Sequence, residues 1–358
     1  MASANMASVR ISPIGFVVII LLAGAVILYV QRSWHAHSKE DQNLKINGPG
    51  ERVSLRQLLS AGIEAAERGG LEVKKVREEH NLNEKSKGET REGANNPVTD
   101  GDMRSHKAIV HSLKKTFPLL KVVSEEKEVG GWDDSKITPL DTKRSDVVSV
   151  IPEDEMLPYD DITVWIDPLD ATQEYTENLL EYVTTMVCVA VRGVPTIGII
   201  HKPFKKDEKT VWAYVGKTLS PNLKLPVKKT LEELGTSPKI IVSRSHKGEV
   251  ESVAKKSFGE KTTVIPAGGA GYKVWALFEG TADAYIHTTL IKKWDICAGN
   301  ALLNTAKGRM TTLKGDKIDY NWSPESPDPK NEGGLLATLW EHEMFLKKLE
   351  AVVDAKQR

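Results

Sequence analysis

The sequence predicts a layered fold of the α/β or α+β class, because segments with helical and with β-like patterns are mixed along the whole chain. The chain has 358 residues, 40% of them hydrophobic, which is enough for one large domain or two fused domains with sizeable cores. No repeat with a period of about 20 to 50 residues is visible, and this argues against a solenoid.

The charge balance and the cysteine count narrow the class further. Lysine and arginine total 49 and are matched by 49 aspartates and glutamates, so no net positive field draws the chain to a nucleic acid polymer. Local basic pockets are still compatible with this balance. The two cysteines are Cys188, in a strand-like run, and Cys297, on a predicted helix. They are too few for a disulfide scaffold, and we expect both to be buried thiols.

The N-terminal segment predicts a membrane anchor. Residues 11–30, ISPIGFVVIILLAGAVILYV, carry no charge, and an apolar run of about 20 residues spans a bilayer core as a helix. A cleaved signal peptide is the alternative, but its apolar core would be shorter. Residues 1–10 form a short tail before the anchor, and residues 31–50 are typical of a polar stalk.

The orientation of the anchor is open. Basic residues are more frequent after the anchor than before it, so the positive-inside rule places the main domain in the cytosol. An acceptor pattern for N-glycosylation, Asn321-Trp322-Ser323, favours the lumen instead, although Pro324 follows it.

Helices and strands then follow in order. A long helix is predicted with Ser54 as its cap and Gly69-Gly70 as a candidate interruption, and a second helix is predicted for residues 102–117. Residues 130–161 are charged and contain proline, so we expect a loop to which the sequence assigns no role. The β-like runs are LLKVVSEE, DITVWIDP, YVTTMVCVAVRGVPTIGIIH, PKIIVSRSH and the start of TTVIPAGGAGYKVWALFEG.

The clearest chemical signal is the motif Asp167-Pro168-Leu169-Asp170, at the end of one of these β-like runs. Pro168 cannot donate a ladder hydrogen bond, so it stops the strand and can turn both carboxylates toward one point. Two carboxylates with the Leu169 carbonyl between them suit Mg²⁺, which prefers oxygen ligands. An Asp-Pro turn in which Asp170 caps the next helix is an equally open alternative.

Three more acidic residues stand at predicted strand or helix ends. Glu125 ends a β-like run together with Glu126, Asp100 directly precedes a predicted helix, and Asp295 opens another. Taken singly, Glu125 is compatible with a solvated loop edge and the two aspartates with helix caps. Together with the Asp-Pro motif, these carboxylates predict a multinuclear metal site.

A second group of residues is typical of anion binding. Gly268-Gly269-Ala270-Gly271 follows a β-like run and opens a predicted helix, so free N–H groups and the helix dipole could receive a phosphate beside Lys273. The segment Ser243 to His246, SRSH, follows another β-like run. A tight turn and a polar turn are the respective alternatives.

Three motifs, SEE, WIDPLDAT and KKWDICAGNALL, in this order and spacing resemble the Mg²⁺-dependent, lithium-sensitive phosphatase superfamily. Its members include inositol monophosphatase, inositol polyphosphate 1-phosphatase and bisphosphate 3'-nucleotidase. The resemblance covers nearly all of residues 51–350. It implies a layered αβαβα sandwich within residues 51–358, with an N-terminal α+β part (51–200) and a C-terminal α/β part (201–358) enclosing the metal site.

The resemblance also implies roles for the acidic residues. Two or three Mg²⁺ ions, with which Li⁺ competes, would be held by Glu125, Asp167, the carbonyl of Leu169, Asp170 and Asp295. Thr172, paired with Asp100, would orient and deprotonate the attacking water. The family commonly has glycine where this chain has Ala171, and we expect the methyl group to be tolerated if the backbone there stays helical.

The substrate is implied by SRSHKGE and GGAGYK, which are similar to nucleotidases that remove the 3'-phosphate of adenosine 3',5'-bisphosphate. The residues expected to hold this nucleotide are Ser243, His246, Gly269 and Lys273, together with Asp170 and Asp295. The resemblance further implies a single-pass type II protein of the Golgi membrane that clears this by-product of sulfation in the lumen, with a homodimer as one option. An inositol (poly)phosphate phosphatase with the same metal site is the alternative.

Overall fold

The computed structural model describes residues 51–90, 93–127, 135, 137–207, 209–244 and 250–357. The predicted tail, anchor and stalk lie outside these residues. Within the part of the chain that the structure describes, no helix combines the length and the apolar character needed to cross a membrane.

Two long helices form the first layer: α1 spans Leu55–Glu78 and α2 spans Asp100–Thr116. The predicted cap of α1 is confirmed, because Ser54 Oγ accepts a hydrogen bond from Gln57 N at 2.9 Å. Gly69 and Gly70 do not interrupt α1. A β-carbon at Gly69 would lie 2.5 Å from the Ile109 side chain, so the missing side chain lets α2 approach closely.

The second layer is a six-stranded sheet with the order β10-β9-β8-β7-β6-β4. Strand β4 is parallel to β6, and the other neighbours are antiparallel. The strands are β4 Val122–Ser124, β6 Ile162–Asp170, β7 Thr184–Val191, β8 Val194–His201, β9 Thr210–Tyr214 and β10 Thr218–Leu219.

A five-stranded sheet with the order β12-β11-β13-β17-β15 forms the fourth layer. Strand β11 is parallel to β12 and β13, whereas β17 is antiparallel to both of its neighbours. The strands are β11 Lys239–Ser243, β12 Thr263–Ala267, β13 Ala284–His287, β15 Arg309–Thr311 and β17 Leu335–Thr338. The longer helices of this half are α6 Val250–Phe258, α7 Ala270–Phe278, α8 Lys293–Thr305 and α9 His342–Gln357.

Short elements complete the chain. Three strand pairs join β1 Arg52–Ser54 to β5 Met156–Pro158, β2 Lys85–Glu89 to β3 Asn95–Val98, and β14 Ile291–Lys292 to β16 Lys330–Asn331. Three short α-helices are α3 Ser145–Val148, α4 Thr172–Thr176 and α5 Leu231–Thr236. Two 3₁₀ turns cover Tyr159–Asp161 and Leu180–Tyr182.

Alternating side chains on the strands build the five layers. On β7, Val187 and Val189 pack with α1 and α2, whereas Met186 and Ala190 pack with α7 and α8. The five-stranded sheet covers the other side of α7 and α8 and buries its outer face against α6 and α9. Residues that alternate between two faces of a buried sheet give this arrangement directly. The expected αβαβα order is therefore confirmed.

The two cysteines require a correction. Cys188 on β7 and Cys297 on α8 form a disulfide, with Cα atoms 5.7 Å apart, so the expectation of two buried thiols is wrong. Both residues are buried in the core between the six-stranded sheet and the middle helices. They are 109 positions apart in sequence. Their contact depends on how the layers stack, so it could not be predicted from the sequence.

Candidate active site

The strand pair β4 and β6 brings the first two carboxylates together. Because these strands are parallel neighbours, their carboxyl ends meet at one edge of the sheet. Glu125 N donates a hydrogen bond to Ile166 O at 3.1 Å, which places Glu125 beside Asp167. The ladder between β6 and β7 shifts register between Asp167 and Asp170, so this β-bulge redirects the end of β6 toward the same edge.

Asp295 joins this pair from helix α8 to complete the acidic cluster. One carboxylate oxygen from each of Glu125, Asp167 and Asp295 lies within 4.8 Å of the other two. Asp295 also accepts a hydrogen bond from Lys292 N at 3.0 Å, so it caps α8 and belongs to the cluster at the same time. Asp295 therefore contributes to the cap as the third helical residue and not as the N-cap, and this position is compatible with the predicted metal role.

The electrostatics of the acidic cluster favour a bound cation. Burial, followed by the charges of Glu125 and Asp170, raises the pKa of Asp167 well above its usual range. The pKa of Asp295 is raised in the same direction by the same causes. Buried like charges need a compensating partner, and an all-oxygen donor set suits a hard divalent ion such as Mg²⁺. These residues therefore fit the metal that the resemblance implies.

Lys87 is a neighbour of the acidic cluster that the sequence analysis did not predict. It lies on β2, and its ammonium group is 2.7 Å from Glu125 Oε1 and 2.6 Å from Glu126 Oε1. The charges of these carboxylates raise the pKa of Lys87 against the opposing effect of burial. No local pattern in the exposed β2–β3 hairpin distinguishes this lysine from others, so the contact emerges only from the fold.

Asp170 is held by the N-terminus of helix α7. Its two oxygens accept hydrogen bonds from Ala270 N at 3.0 Å and from Gly271 N at 2.8 Å, and Thr184 Oγ1 donates a third at 3.0 Å. The helix dipole favours a negative charge at this position. The expectation that these two N–H groups receive a phosphate is therefore corrected: they bind a carboxylate of the chain itself.

Ala171 departs from the expected backbone. It has φ 72° and ψ 44°, which is the left-handed region, and it directly precedes α4. The helical backbone on which tolerance of the methyl group depended is therefore not present at Ala171, and the alternative in which Asp170 caps α4 is wrong. A methyl group in this region costs about 1 kcal/mol relative to glycine.

Thr172 pairs with a different aspartate from the one expected. Its Oγ1 lies 2.9 Å from Asp102 Oδ1 and 3.1 Å from Leu169 O. Asp100 instead accepts a hydrogen bond from Asn83 Nδ2 at 2.6 Å. The predicted pair of Asp100 and Thr172 is corrected to Asp102 and Thr172. Both aspartates are on the first turn of α2, but Asp102 is on the side of that turn that faces β6.

Asp102 is fixed by the capping box at the start of α2. Its Oδ2 accepts hydrogen bonds from Thr99 N at 2.7 Å and from Thr99 Oγ1 at 2.6 Å, and the side chain is fully buried. Burial, against the hydrogen bonds from Thr99, raises the pKa of Asp102 to about 7. The spacing Thr-x-x-Asp in TDGD was the signal that could have found it.

The acidic cluster and Thr172 line one cavity of about 500 Å³, and Asp102 lies buried behind Thr172. Five of the six expected nucleotide-binding residues line the same cavity: Asp170, Ser243, Gly269, Lys273 and Asp295. The sixth, His246, lies outside the described residues. The wall also includes residues that the sequence did not indicate, among them Asn95, Gln173, Tyr285, His287 and Trp294.

Lys273 is the buried cation of this wall. It is 3% exposed, and burial lowers its pKa while the charges of Asp170 and Glu174 oppose that shift. Its ammonium group lies 3.4 Å from Ala267 O and 5.2 Å from the centre of the Tyr285 ring. The cavity therefore has a buried cation near the carboxylates, and a cation of this kind can bind a phosphate oxygen.

Comparison with known proteins places the chain in a family. The model described as the inositol monophosphatase family matches residues 54–353. The chain belongs to the inositol monophosphatase family. It is 48% identical to "Inositol monophosphatase 3" from Xenopus tropicalis, over 98% of both chains. It is 44% identical to the Homo sapiens "Golgi-resident adenosine 3',5'-bisphosphate 3'-phosphatase", over 95% of this chain and 96% of that protein.

Solved structures agree on the fold. An inositol monophosphatase from Anabaena superposes with a TM-score of 0.57 at 18% identity, over 83% of this chain and 96% of that one. CysQ from Bacteroides thetaiotaomicron superposes with a TM-score of 0.53 at 23% identity, over 80% of this chain and 99% of that one. At these identities the likeness supports the architecture of this inositol monophosphatase family member. Its substrate must be inferred from the residues of the site.

Proposed function

We propose that this family member is a Mg²⁺-dependent phosphatase that hydrolyses the 3'-phosphate of adenosine 3',5'-bisphosphate to give AMP and phosphate. The observation that carries the proposal is one cavity that joins the acidic cluster to Ser243, Gly269 and Lys273. Relatives at 44% to 48% identity carry the name of this activity.

The carboxylates would hold the metal. Glu125, Asp167 and Asp295 would bind one cation, and the Leu169 carbonyl and Asp170 would contribute to a site for two or three ions in all. Bound Mg²⁺ supplies polarisation of the phosphoryl group and neutralisation of its charge. The burial and crowding of these carboxylates support this role.

Thr172 and Asp102 would activate the attacking water. Because the Thr172 hydroxyl donates to Asp102, its oxygen can accept a hydrogen bond from a water molecule and orient it toward phosphorus. A carboxylate whose pKa is about 7 can take up a proton near neutral pH. Asp102 therefore replaces Asp100 in the catalytic role that the resemblance implied.

The nucleotide would lie against the opposite wall. Lys273 offers a buried ammonium group, Ser243 lies at the end of β11, and Gly269 lets the chain approach Asp170 closely, since a β-carbon there would lie 2.9 Å from its Oδ2. Asp170 and Asp295 adjoin this wall, and His246 would add an imidazole from outside the described residues.

The rival function is an inositol (poly)phosphate phosphatase. It would use the same acidic cluster, and several relatives carry the name "Inositol monophosphatase 3". Hydrolysis of adenosine 3',5'-bisphosphate and of inositol 1-phosphate by the full chain in detergent, with Mg²⁺ and with a chelator, separates the two. Faster hydrolysis of the nucleotide is expected, with inhibition by millimolar Li⁺. A clear preference for inositol 1-phosphate would refute the proposed substrate.

The catalytic domain would lie in the Golgi lumen, anchored by residues 11–30 in a type II orientation. The disulfide between Cys188 and Cys297 supports this, because disulfides persist in oxidising compartments and are rare in the cytosol. Asn321 is exposed, as a glycosylation site must be. Protection of the domain from protease in intact Golgi vesicles is the test, and digestion from the outside would support the positive-inside count instead.

A further inference from the structure

Tyr285 is a buried residue of the cavity wall to which the proposed mechanism gives no role. It lies on β13, its side chain is 0% exposed, and it lines the cavity. Its hydroxyl oxygen is buried and has no hydrogen-bond partner among the described residues. A buried hydroxyl left without a partner destabilises a fold, so a residue of this kind in a binding site calls for a functional reason.

Other buried tyrosines in the described chain have partners. Tyr175 donates to Val73 O at 2.9 Å, and Tyr320 accepts from Asn300 Nδ2 at 3.0 Å. Both are 0% exposed, like Tyr285. The lack of a partner is thus not a general property of tyrosines in this core. Of these three tyrosines, Tyr285 is the one that lines the cavity.

Among the described residues, no acceptor forms a hydrogen bond with the Tyr285 hydroxyl. The Lys273 ammonium group lies over its ring, 5.2 Å from the ring centre. Asp170, the nearby carboxylate, already accepts three hydrogen bonds, two from helix α7 and one from Thr184. Two hydrogen-bond donors, a phenol and an ammonium group, are therefore adjacent in the wall of a cavity whose size suits a small molecule. An anionic oxygen is the acceptor that satisfies both.

We propose that the Tyr285 hydroxyl donates a hydrogen bond to a phosphate oxygen of the bound substrate, beside Lys273, and is a substrate-binding residue. The inference rests on the phosphatase activity proposed above. It concerns phosphate recognition only, so either the 3'-phosphate that is removed or the 5'-phosphate that stays on the nucleotide could be the acceptor.

The test is Tyr285→Phe in the full chain, with Tyr320→Phe as the matched control. The two products, inorganic phosphate and AMP, serve separately as competitive inhibitors in the presence of Mg²⁺. Tyr285→Phe should weaken inhibition by one of them about tenfold, the effect of losing one hydrogen bond to a charged oxygen. The product that is affected identifies the phosphate. Tyr320→Phe should leave both inhibition constants unchanged.

Thermal unfolding of the metal-free protein supplies a readout that is independent of activity. Tyr285→Phe removes a hydroxyl without a partner, so its Tm should stay the same or rise. Tyr320→Phe deprives the Asn300 amide of its acceptor, so its Tm should fall by about 2 °C or more. If Tyr285→Phe lowers the Tm as Tyr320→Phe does, or leaves inhibition by both products unchanged, the inference is wrong. An inactive wild-type chain would instead refute the proposed function.

Discussion

Replacement of Asp102 by asparagine tests the corrected catalytic pair. Asp102 accepts two hydrogen bonds from Thr99 on one oxygen and faces Thr172 with the other. Asparagine keeps only one acceptor oxygen, so either the two donors of Thr99 or the hydroxyl of Thr172 must lose its partner. It also removes the group that would take up the proton.

The expected loss in kcat is about 100- to 10,000-fold, the range that positioned acid–base groups contribute, which corresponds to about 3 to 5 kcal/mol of barrier. A separate destabilisation of about 1 to 3 kcal/mol is expected from the donor left unsatisfied at the start of α2. Thermal unfolding must therefore accompany the kinetics, so that loss of folded protein is not mistaken for loss of catalysis.

The assay is kcat as a function of pH with saturating Mg²⁺. In the wild type, activity should fall toward acidic pH, since burial raises the pKa of Asp102 and protonation removes the acceptor; this acidic limb should vanish in Asp102→Asn. Asp100→Asn is the matched control, because within the described part of the chain the Asp100 side chain hydrogen-bonds to Asn83 and not to Thr172. Its kcat should stay within about twofold of the wild type. Equal losses in both variants, or near-normal turnover of Asp102→Asn, would refute the reasoning.

The remaining predictions concern stability. Mg²⁺ should raise the Tm more at pH 8 than at pH 5. The pKa values of Asp167 and Asp295 are raised above those of the unfolded chain, so the metal-free protein loses stability as the pH rises, and the cation binds the deprotonated carboxylates. An equal shift in Tm at both pH values would contradict this. The double variant Cys188→Ala, Cys297→Ala should have a free energy of unfolding about 2 to 5 kcal/mol lower in denaturant titrations. A reductant should have no further effect on this variant. An unchanged stability would mean that the disulfide does not form. Ala171→Gly should raise the free energy of unfolding by up to about 1 kcal/mol, because glycine adopts the left-handed φ of this position without strain. Ala108→Gly, inside α2, should lower it by about 1 kcal/mol. If thermal unfolding shows a change of the same sign for both variants, Ala171 is not strained.

The parts of the site that could be predicted from the sequence are those in which one element carries the information. The Asp167-Pro168-Leu169-Asp170 motif lies within a single strand, so a change of direction near its end was readable from the proline. The expectation that Pro168 stops the strand is wrong, because β6 continues through a bulge to Asp170. Ser54 is recognisable as a cap by its position before an apolar helical pattern.

The parts that could not be predicted depend on contacts between elements. The choice between Asp100 and Asp102 depends on which side of the first turn of α2 faces β6, and two positions along a helix differ by about 200° in direction. The disulfide and the contact of Lys87 with Glu125 join elements whose spatial order is set by the layers. The occupation of the α7 N-terminus by Asp170 has the same origin.

Asp170 also has a consequence for how the chain tolerates change over evolution. Its backbone belongs to the six-stranded sheet, whereas the two N–H groups that bind it open helix α7 of the middle layer. One side chain thus joins the six-stranded sheet to the middle helices and also lines the cavity. A substitution of Asp170 would therefore disturb both the cooperativity of folding and the proposed chemistry. Neither property could change at this position without the other.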